Sequence, residues 1–181
     1  MTKEGTYFPA EWEKQSGVQL TWPDSTTDWL AILDEVLAVY EQIAAEVLTR
    51  EKLLVVCRSR KQLPLFLQEK RPDLVVREMP LNDTWARDHG AITVIEKGKP
   101  VLLNFRFNGW GMKFAACHDN QITPNLFRAG AFQKDVALRD HSWFTFEGGA
   151  IESNGEGCLL TTSTCMLSKN RNEHLNAKEI D

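Results

Sequence analysis

Apolar and polar positions recur along the chain with two different periods, and these periods predict most of its secondary structure. Between residues 28 and 49, apolar side chains return every three or four positions with acidic residues between them, which predicts an amphipathic helix. Thr27 or Asp28 is suited to cap that helix, because a short polar side chain can accept the free amide hydrogens of the first turn. An alternating segment at residues 17–22, stopped by Pro23, and apolar segments at residues 52–57 and 74–79 predict strands around it.

Two hairpins are predicted further along the chain, each at a turn rich in glycine. The first joins residues 91–95 and 100–105, and the second joins residues 144–152 and 158–162. Short helices are expected at 63–68 and 122–132 and from residue 176, with a strand at 136–138. This order of elements predicts a mixed α/β fold with hairpins between helical crossovers, which does not match a simple doubly wound sheet.

Composition narrows the class of protein. The 181 residues are 43% hydrophobic, enough for a core, and the formal net charge of -4 argues against nucleic acid as a partner. No segment has the length needed to span a membrane, and no apolar stretch follows the N-terminus as in a signal peptide, so a cytoplasmic location is expected. The four cysteines show neither a CxxC pair nor a metal-ligand spacing, which favours reduced structural thiols and predicts no metal site.

The segment Asn82–Gly90 carries the chain's most concentrated candidate chemistry. It lies between two predicted strands and holds two acids, a base, an indole and an imidazole, and catalytic residues are often placed on such loops. Asp88 is predicted to hold a cationic substrate. Taken alone, Asp88 beside Arg87 is more simply explained as a surface ion pair, since exposed pairs are common.

The other candidate site residues also have simpler structural explanations. Glu147 precedes two glycines and is by itself typical of a polar turn. Trp22 and Trp110 are more often packing residues than ligand contacts. Cys117 and His118 suggest a nucleophile and its base, but adjacent residues seldom aim their side chains at one point.

Six motifs, taken together and in order, favour the functional interpretation of these residues. They resemble the N-terminal half of the agmatine deiminase family, which includes the bacterial peptidylarginine deiminases. Each motif is weak alone, but their joint occurrence over nearly the whole chain is highly specific. The motifs are Phe8–Glu13, Trp22-Pro23, Asn82–Asp88, Phe107–Gly111, Glu147–Ile151 and Lys169–Asn172.

This resemblance implies a pentein fold, an α/β propeller of five ββαβ-type units with pseudo-fivefold symmetry and a central active-site channel. About half of that propeller is expected here, with residues 1–181 forming the N-terminal part of a single deiminase domain. Family members hydrolyse a guanidinium group through a covalent Cys intermediate and use no cofactor.

The resemblance also assigns roles to residues. Asp88 is placed as the carboxylate that grips the guanidinium, and Glu147 as the acid that orients the catalytic imidazole. Trp85 is expected to offer its ring face to the cation, with Trp22 and Trp110 as further pocket residues. Gly148 and Gly149 would let the backbone approach the channel closely.

The nucleophilic Cys and the His-x-Asp segment are expected outside this chain, because none of its histidines or cysteines stands in the family's context. The chain alone is therefore predicted to be inactive and to self-associate or pair with a complementary C-terminal chain.

Agmatine is the favoured substrate, giving N-carbamoylputrescine for putrescine biosynthesis, with peptidylarginine and free arginine as close alternatives. A substrate that carries a carboxylate would need a basic partner, for which Arg106 is the candidate near a motif. A non-catalytic ligand-binding or interaction protein is the alternative from another class.

Overall fold

The computed structural model describes residues 5–180, which form two compact units and confirm the mixed α/β class. One unit is Lys14–Ala86, and the other comprises residues 5–13 and 87–180. The strands are β1 (Thr6–Tyr7), β2 (Gly17–Thr21), β3 (Lys52–Cys57), β4 (Leu74–Glu78), β5 (Ile92–Glu96), β6 (Lys99–Arg106), β7 (Ala137–Thr145), β8 (Ile151–Ser153) and β9 (Leu159–Thr161). The helical segments are α1 (Leu33–Leu48), α2 (Leu65–Gln68), α3 (Ala86–His89), α4 (Gly109–Met112), α5 (Ile122–Arg128), α6 (Ser163–Met166), α7 (Lys169–Asn172) and α8 (Ala177–Ile180).

The unit Lys14–Ala86 is built on a parallel sheet in the order β2-β3-β4. Strand β3 lies in the middle and is almost continuously apolar, as the sequence predicted for a buried strand. Its side chains join those of α1 and α2 in an apolar core. The buried members of that core are Trp22, Ala44, Leu53, Val55, Cys57, Leu63, Leu67, Leu74 and Val76.

The helix α1 confirms the amphipathic pattern, but its start differs from the prediction. A 3₁₀ turn, Leu30–Ile32, precedes it, and neither segment has a side-chain cap. The Thr27 hydroxyl instead donates to the Asp24 carbonyl at 2.8 Å, so it stabilises the preceding turn. The predicted capping role of Thr27 or Asp28 is therefore wrong. The next helix, α2, begins at Leu65, with Pro64 just before its first turn.

The second unit contains a sheet in the order β1-β5-β6-β7. Strands β5 and β6 form the first predicted hairpin, and Lys97 and Gly98 at its turn have φ angles of 49° and 78°. Two consecutive positive φ angles are typical of the tight turns that match the twist of paired strands. Strand β7 then lies parallel to β6, after the helix α5.

Two boundaries in this unit differ from the prediction. Helix α5 ends at Arg128 instead of reaching residue 132, and the chain turns at Gly130 with a φ of 63°. Strand β7 extends to Thr145, whereas the sequence predicts a strand at 136–138 and assigns residues 144–145 to the next hairpin. The polar run Arg139–Ser142 between them gives no apolar alternation.

The second predicted hairpin is confirmed but is shorter than expected, with β8 paired antiparallel to β9. Residues 148–150 ahead of it form a 3₁₀ turn, and Leu159 and Leu160 on β9 are 56% and 69% exposed. The expected helix near residue 176 is α8. Within residues 5–180, no helix has both the length and the apolar character that crossing a membrane requires.

Candidate functional site

Asp88 lies in the single-turn helix α3, within a segment that the sequence predicted to be a loop. Each of its carboxylate oxygens accepts one hydrogen bond. The Gly149 backbone N–H donates to Oδ1 at 3.0 Å, and the Trp110 indole Nε1–H donates to Oδ2 at 3.2 Å. A carboxylate has about four acceptor positions. Asp88 is partly exposed, and each of its oxygens keeps an acceptor position beyond these two bonds.

Arg87 does not use Asp88 as its ion-pair partner, contrary to the surface-pair interpretation. Its Nη2 bonds Oε1 of Glu11 at 2.5 Å, and its Nε donates to the Gly148 carbonyl at 3.0 Å. The hydrogen bond from Arg87 lowers the pKa of the Glu11 carboxyl. The charge of Arg87 is thus directed at Glu11, and Asp88 is held by neutral N–H groups.

Glu147 is 3% exposed and follows the end of strand β7. The Nε of Arg171 lies 2.9 Å from its Oε1 and 3.0 Å from its Oε2. A buried carboxylate is costly unless it is paired and hydrogen-bonded, and Arg171 meets that requirement. Glu147 does begin a 3₁₀ turn, but its burial and its ion pair give it a structural role beyond that of a polar turn residue.

The glycines after Glu147 are required by close contacts with the Arg87-Asp88 segment. A Cβ added to Gly148 would lie 2.2 Å from the Arg87 carbonyl oxygen, and one added to Gly149 would lie 2.3 Å from Oδ1 of Asp88. No real Cβ approaches other atoms so closely. The predicted close backbone approach is present, and it brings the Glu147 segment against Asp88.

Trp110 reaches Asp88 from an unusual backbone turn, α4. The φ angles of Gly109, Trp110, Gly111 and Met112 are all positive, between 57° and 84°. Residues other than glycine rarely adopt this conformation, and such strain is often found at functional sites. The glycine-rich segment Phe107–Gly111 therefore contains a left-handed turn.

Trp85 belongs to the unit Lys14–Ala86 and is 42% exposed. Its indole Nε1–H donates to Oδ2 of Asp83 at 3.0 Å, and its ring centre lies 5.8 Å from that of Trp29. Burial raises the pKa of the Asp83 carboxyl. An exposed ring fixed in this way can offer its face to a cation, but its contact with a ligand stays a prediction.

Trp22 is only 1% exposed, and its ring packs edge-on against Tyr40 in the core of the same unit. This burial does not support the predicted direct contact with a ligand, and it is explained by packing. Arg106, by contrast, is exposed at the end of strand β6. No ion pair or side-chain hydrogen bond joins it to the rest of residues 5–180, so it is available to an anionic group.

Burial disfavours the charged forms of the His89 imidazole and the Cys57 thiol. Burial lowers the pKa of His89 to about 4, so its imidazole is neutral at pH 7. Burial also raises the pKa of the Cys57 thiol to about 11, which disfavours the nucleophilic thiolate. Cys57 therefore fits the predicted structural role.

Three residues that hold the site had no role assigned from the sequence: Arg171, Asn172 and Asn108. Asn172 is 2% exposed and clamps the backbone of Thr145, while Asn108 caps the turn that carries Trp110. The signals in the sequence are the motifs Phe107–Gly111 and Lys169–Asn172, which resemble the deiminase family but do not reveal the contact partners of these residues.

Comparison with known proteins gives the family of the chain. The family model of the Porphyromonas-type peptidyl-arginine deiminases matches residues 7–181. The chain belongs to this family. Among curated relatives of these deiminases, the agmatine deiminase of Pseudomonas savastanoi pv. phaseolicola is 30% identical over 184 residues. That alignment covers 98% of this chain and 49% of the relative.

Solved structures of deiminases share the fold. A crystal structure from Porphyromonas gingivalis, described as a candidate arginine deiminase, is 47% identical with a TM-score of 0.87, covering 97% of this chain and 52% of that one. A cysteine-to-serine variant of the agmatine deiminase of C. jejuni, with substrate bound, is 34% identical with a TM-score of 0.85, covering 100% and 53%. This chain thus spans about half the length of its curated relatives and of these structures.

Proposed function

We propose that this chain supplies the guanidinium-binding carboxylate and the orienting acid of a hydrolytic deiminase that acts on agmatine. The observation that carries the proposal is the junction of Asp88 with the Glu147–Gly149 segment, where the Gly149 amide holds Oδ1 of Asp88 two residues after Glu147. Two candidate carboxylates from distant parts of the sequence are thereby brought to one place.

The free acceptor positions of Asp88 suit a guanidinium. That group is planar and permanently charged, and it presents parallel N–H donors that match the two oxygens of a carboxylate. Gly149 and Trp110 approach different oxygens of Asp88, which fixes the plane of the carboxylate before a ligand arrives. A pre-oriented acceptor binds a planar cation with less loss of conformational entropy.

In the proposed reaction, a cysteine thiolate attacks the guanidinium carbon and forms a C–S bond, and the C–N bond breaks to release ammonia. Water then attacks the same carbon, the C–S bond breaks, and a ureido product and the free thiol remain. Glu147 would orient the histidine that transfers the protons. We place this cysteine and histidine outside residues 1–181, in the remainder of a pentein propeller of which these residues are the N-terminal part.

The names of two related proteins support agmatine: the P. savastanoi relative and the substrate-bound C. jejuni structure are agmatine deiminases. Agmatine has no carboxylate and leaves Arg106 without a required role. Peptidylarginine and free arginine differ from agmatine at the end of the molecule far from the guanidinium. Substitution of Arg106 therefore separates the substrates: Arg106→Gln should weaken arginine binding and leave agmatine binding unchanged.

Titration of the ¹⁵N-labelled chain with agmatine, followed by NMR, tests the binding step. We expect shifts at the Gly149 amide and the Trp110 indole, and Asp88→Asn should weaken binding by at least about tenfold, because a charge-assisted pair contributes roughly 1.5–3 kcal/mol. Asp135→Asn removes an exposed carboxylate and serves as the matched control. Binding that is unchanged in Asp88→Asn would refute the role of Asp88.

Turnover tests the chemical step. We expect no ureido product from the chain alone and its appearance when the C-terminal half of a relative, such as the P. gingivalis protein, is supplied. Agmatine binding without turnover under both conditions would favour the non-catalytic ligand-binding alternative.

A further inference from the structure

The short helix α7 contacts the supports of both candidate carboxylates. Each of its last three residues makes a different contact: Asn170 with Asn108, Arg171 with Glu147, and Asn172 with Thr145. Each partner is at least 24 residues away along the chain from the α7 residue that it contacts, and all three belong to the same unit.

The contact at Glu147 is an ion pair that is almost closed to solvent. The side chains of Arg171 and Glu147 are 12% and 3% exposed, and Nε of Arg171 lies within 3.0 Å of both carboxylate oxygens. Because a single N–H group lies between the two oxygens, it fixes the direction of the carboxylate as well as compensating its charge.

The contact at Thr145 fixes the backbone that leads into Glu147. The Oδ1 of Asn172 accepts from the Thr145 N–H at 2.9 Å, and its Nδ2 donates to the Thr145 carbonyl at 2.9 Å. The buried amide thus takes the place of a neighbouring strand at the last residue of β7. Such a side-chain clamp holds the strand end in one position.

The third contact holds the left-handed turn α4. The Asn108 side chain donates from Nδ2 to the Asn170 carbonyl at 2.8 Å and accepts from the Gly111 N–H at 2.9 Å. A Cβ added to Gly111 would lie 3.3 Å from Cβ of Asn170 and 3.4 Å from Nη1 of Arg171, so the turn packs directly on α7. Trp110 in this turn donates to Asp88.

We propose that α7 is the positioning segment of the site: Arg171 and Asn172 set Glu147, and Asn170 with Arg171 sets the turn through which Trp110 orients Asp88. None of these three residues is required to touch a substrate. Their role in catalysis rests on the function proposed above, but their role in positioning Glu147 and Asp88 can be tested without it.

The test uses the ¹⁵N-labelled chain and two reporters of the Asp88 carboxylate, the Gly149 amide and the Trp110 indole N–H, the latter assigned with Trp110→Phe. In Arg171→Gln, we expect both signals to shift and the exchange of the indole hydrogen with solvent to accelerate about tenfold, the factor that corresponds to one lost hydrogen bond. Lys169→Gln removes an exposed positive charge from the same helix and should leave both reporters unchanged.

Arg171→Lys separates positioning from a general loss of stability. Lysine keeps the charge but cannot reproduce the planar group that reaches both Glu147 and the turn, so we expect a smaller shift in the same direction. If Arg171→Gln does not fold, Arg171→Lys decides: reporters identical to those of the unmodified chain overturn the proposal. Reporters unchanged in a folded Arg171→Gln variant overturn it as well.

Agmatine titration of the unmodified chain tests the proposed function independently of the positioning role of α7. If agmatine does not bind but the reporters move as expected in the Arg171 variants, the function proposed above fails while α7 keeps its positioning role. If agmatine binds and the reporters do not move, the positioning role fails alone.

Discussion

The unit Lys14–Ala86 and the surroundings of Asp88 and Glu147 are held together in different ways. In the first, a parallel sheet and two helices enclose an apolar core in which Val55 and Leu67 are fully buried. Around the two carboxylates, the contacts are hydrogen bonds and one ion pair from distant residues. Apolar packing tolerates many side chains of similar volume, whereas the polar contacts depend on particular atoms.

Truncation of Leu67 should give the largest loss of stability, and it tests the contribution of apolar packing in the unit Lys14–Ala86. Leu67→Ala removes a fully buried side chain from α2, and such changes cost about 2–5 kcal/mol because lost burial and a residual cavity add together. Urea unfolding measures the effect. Leu65→Ala in the same helix is the control, since Leu65 is 79% exposed; an equal loss in both variants would contradict the packing argument.

Acidification should weaken the unit that carries the site through His89. Its pKa is about 4 in the folded protein, where burial disfavours the charged form, against 6.5 in the unfolded chain. Between these values the unfolded chain binds more protons, so the free energy of unfolding falls as pH drops from 6.5 to 4, by up to about 3 kcal/mol.

Unfolding of His89→Gln at pH 7 and pH 4.5 isolates this contribution. The variant should lose much of the pH dependence, whereas His174→Gln, at an exposed position, should retain it. The same acid sensitivity in His89→Gln as in the unmodified chain would rule out His89 as the source.

Alteration of the contact between Gly149 and Asp88 should give a smaller loss of stability but a specific loss of agmatine binding. A Cβ at residue 149 would lie 2.3 Å from the Asp88 carboxylate, so Gly149→Ala must displace that side chain at a cost of about 1–3 kcal/mol. Agmatine titration and urea unfolding measure the two effects. Gly130→Ala meets no atom within 4 Å and adds only backbone strain, so it should leave agmatine binding unchanged.

The sequence predicted the elements whose signals are local. Helix α1 and strand β3 follow from apolar periodicity, and the β5–β6 hairpin follows from its glycine turn. Strand β7 was mostly missed because its pairing with β6 occurs far along the chain and leaves polar side chains exposed. The cap of α1 was wrong because a 3₁₀ turn separates Thr27 from the helix.

In the candidate site too, contacts between residues far apart in the sequence could not be predicted. Asp88 and Glu147 were identified through family resemblance, whereas no local pattern could pair Asp88 with Trp110 or Glu147 with Arg171, since each pair is separated by more than 20 residues. Trp22 was included for its motif, although its side chain is part of the core. Motifs can identify functional residues, but they do not reveal which neighbours hold them.

The turn Gly109–Met112 is, in stereochemical terms, a short piece of mirror-image helix within a chain of L-residues. Left-handed helical dihedrals cost an L-residue about 1–2 kcal/mol, and a D-residue would adopt them without that cost. A semisynthetic chain with D-alanine in place of Gly111 should therefore meet no backbone penalty, whereas L-alanine should meet one. Handedness at this single turn is thus one of the conditions for placing the Trp110 indole on Asp88.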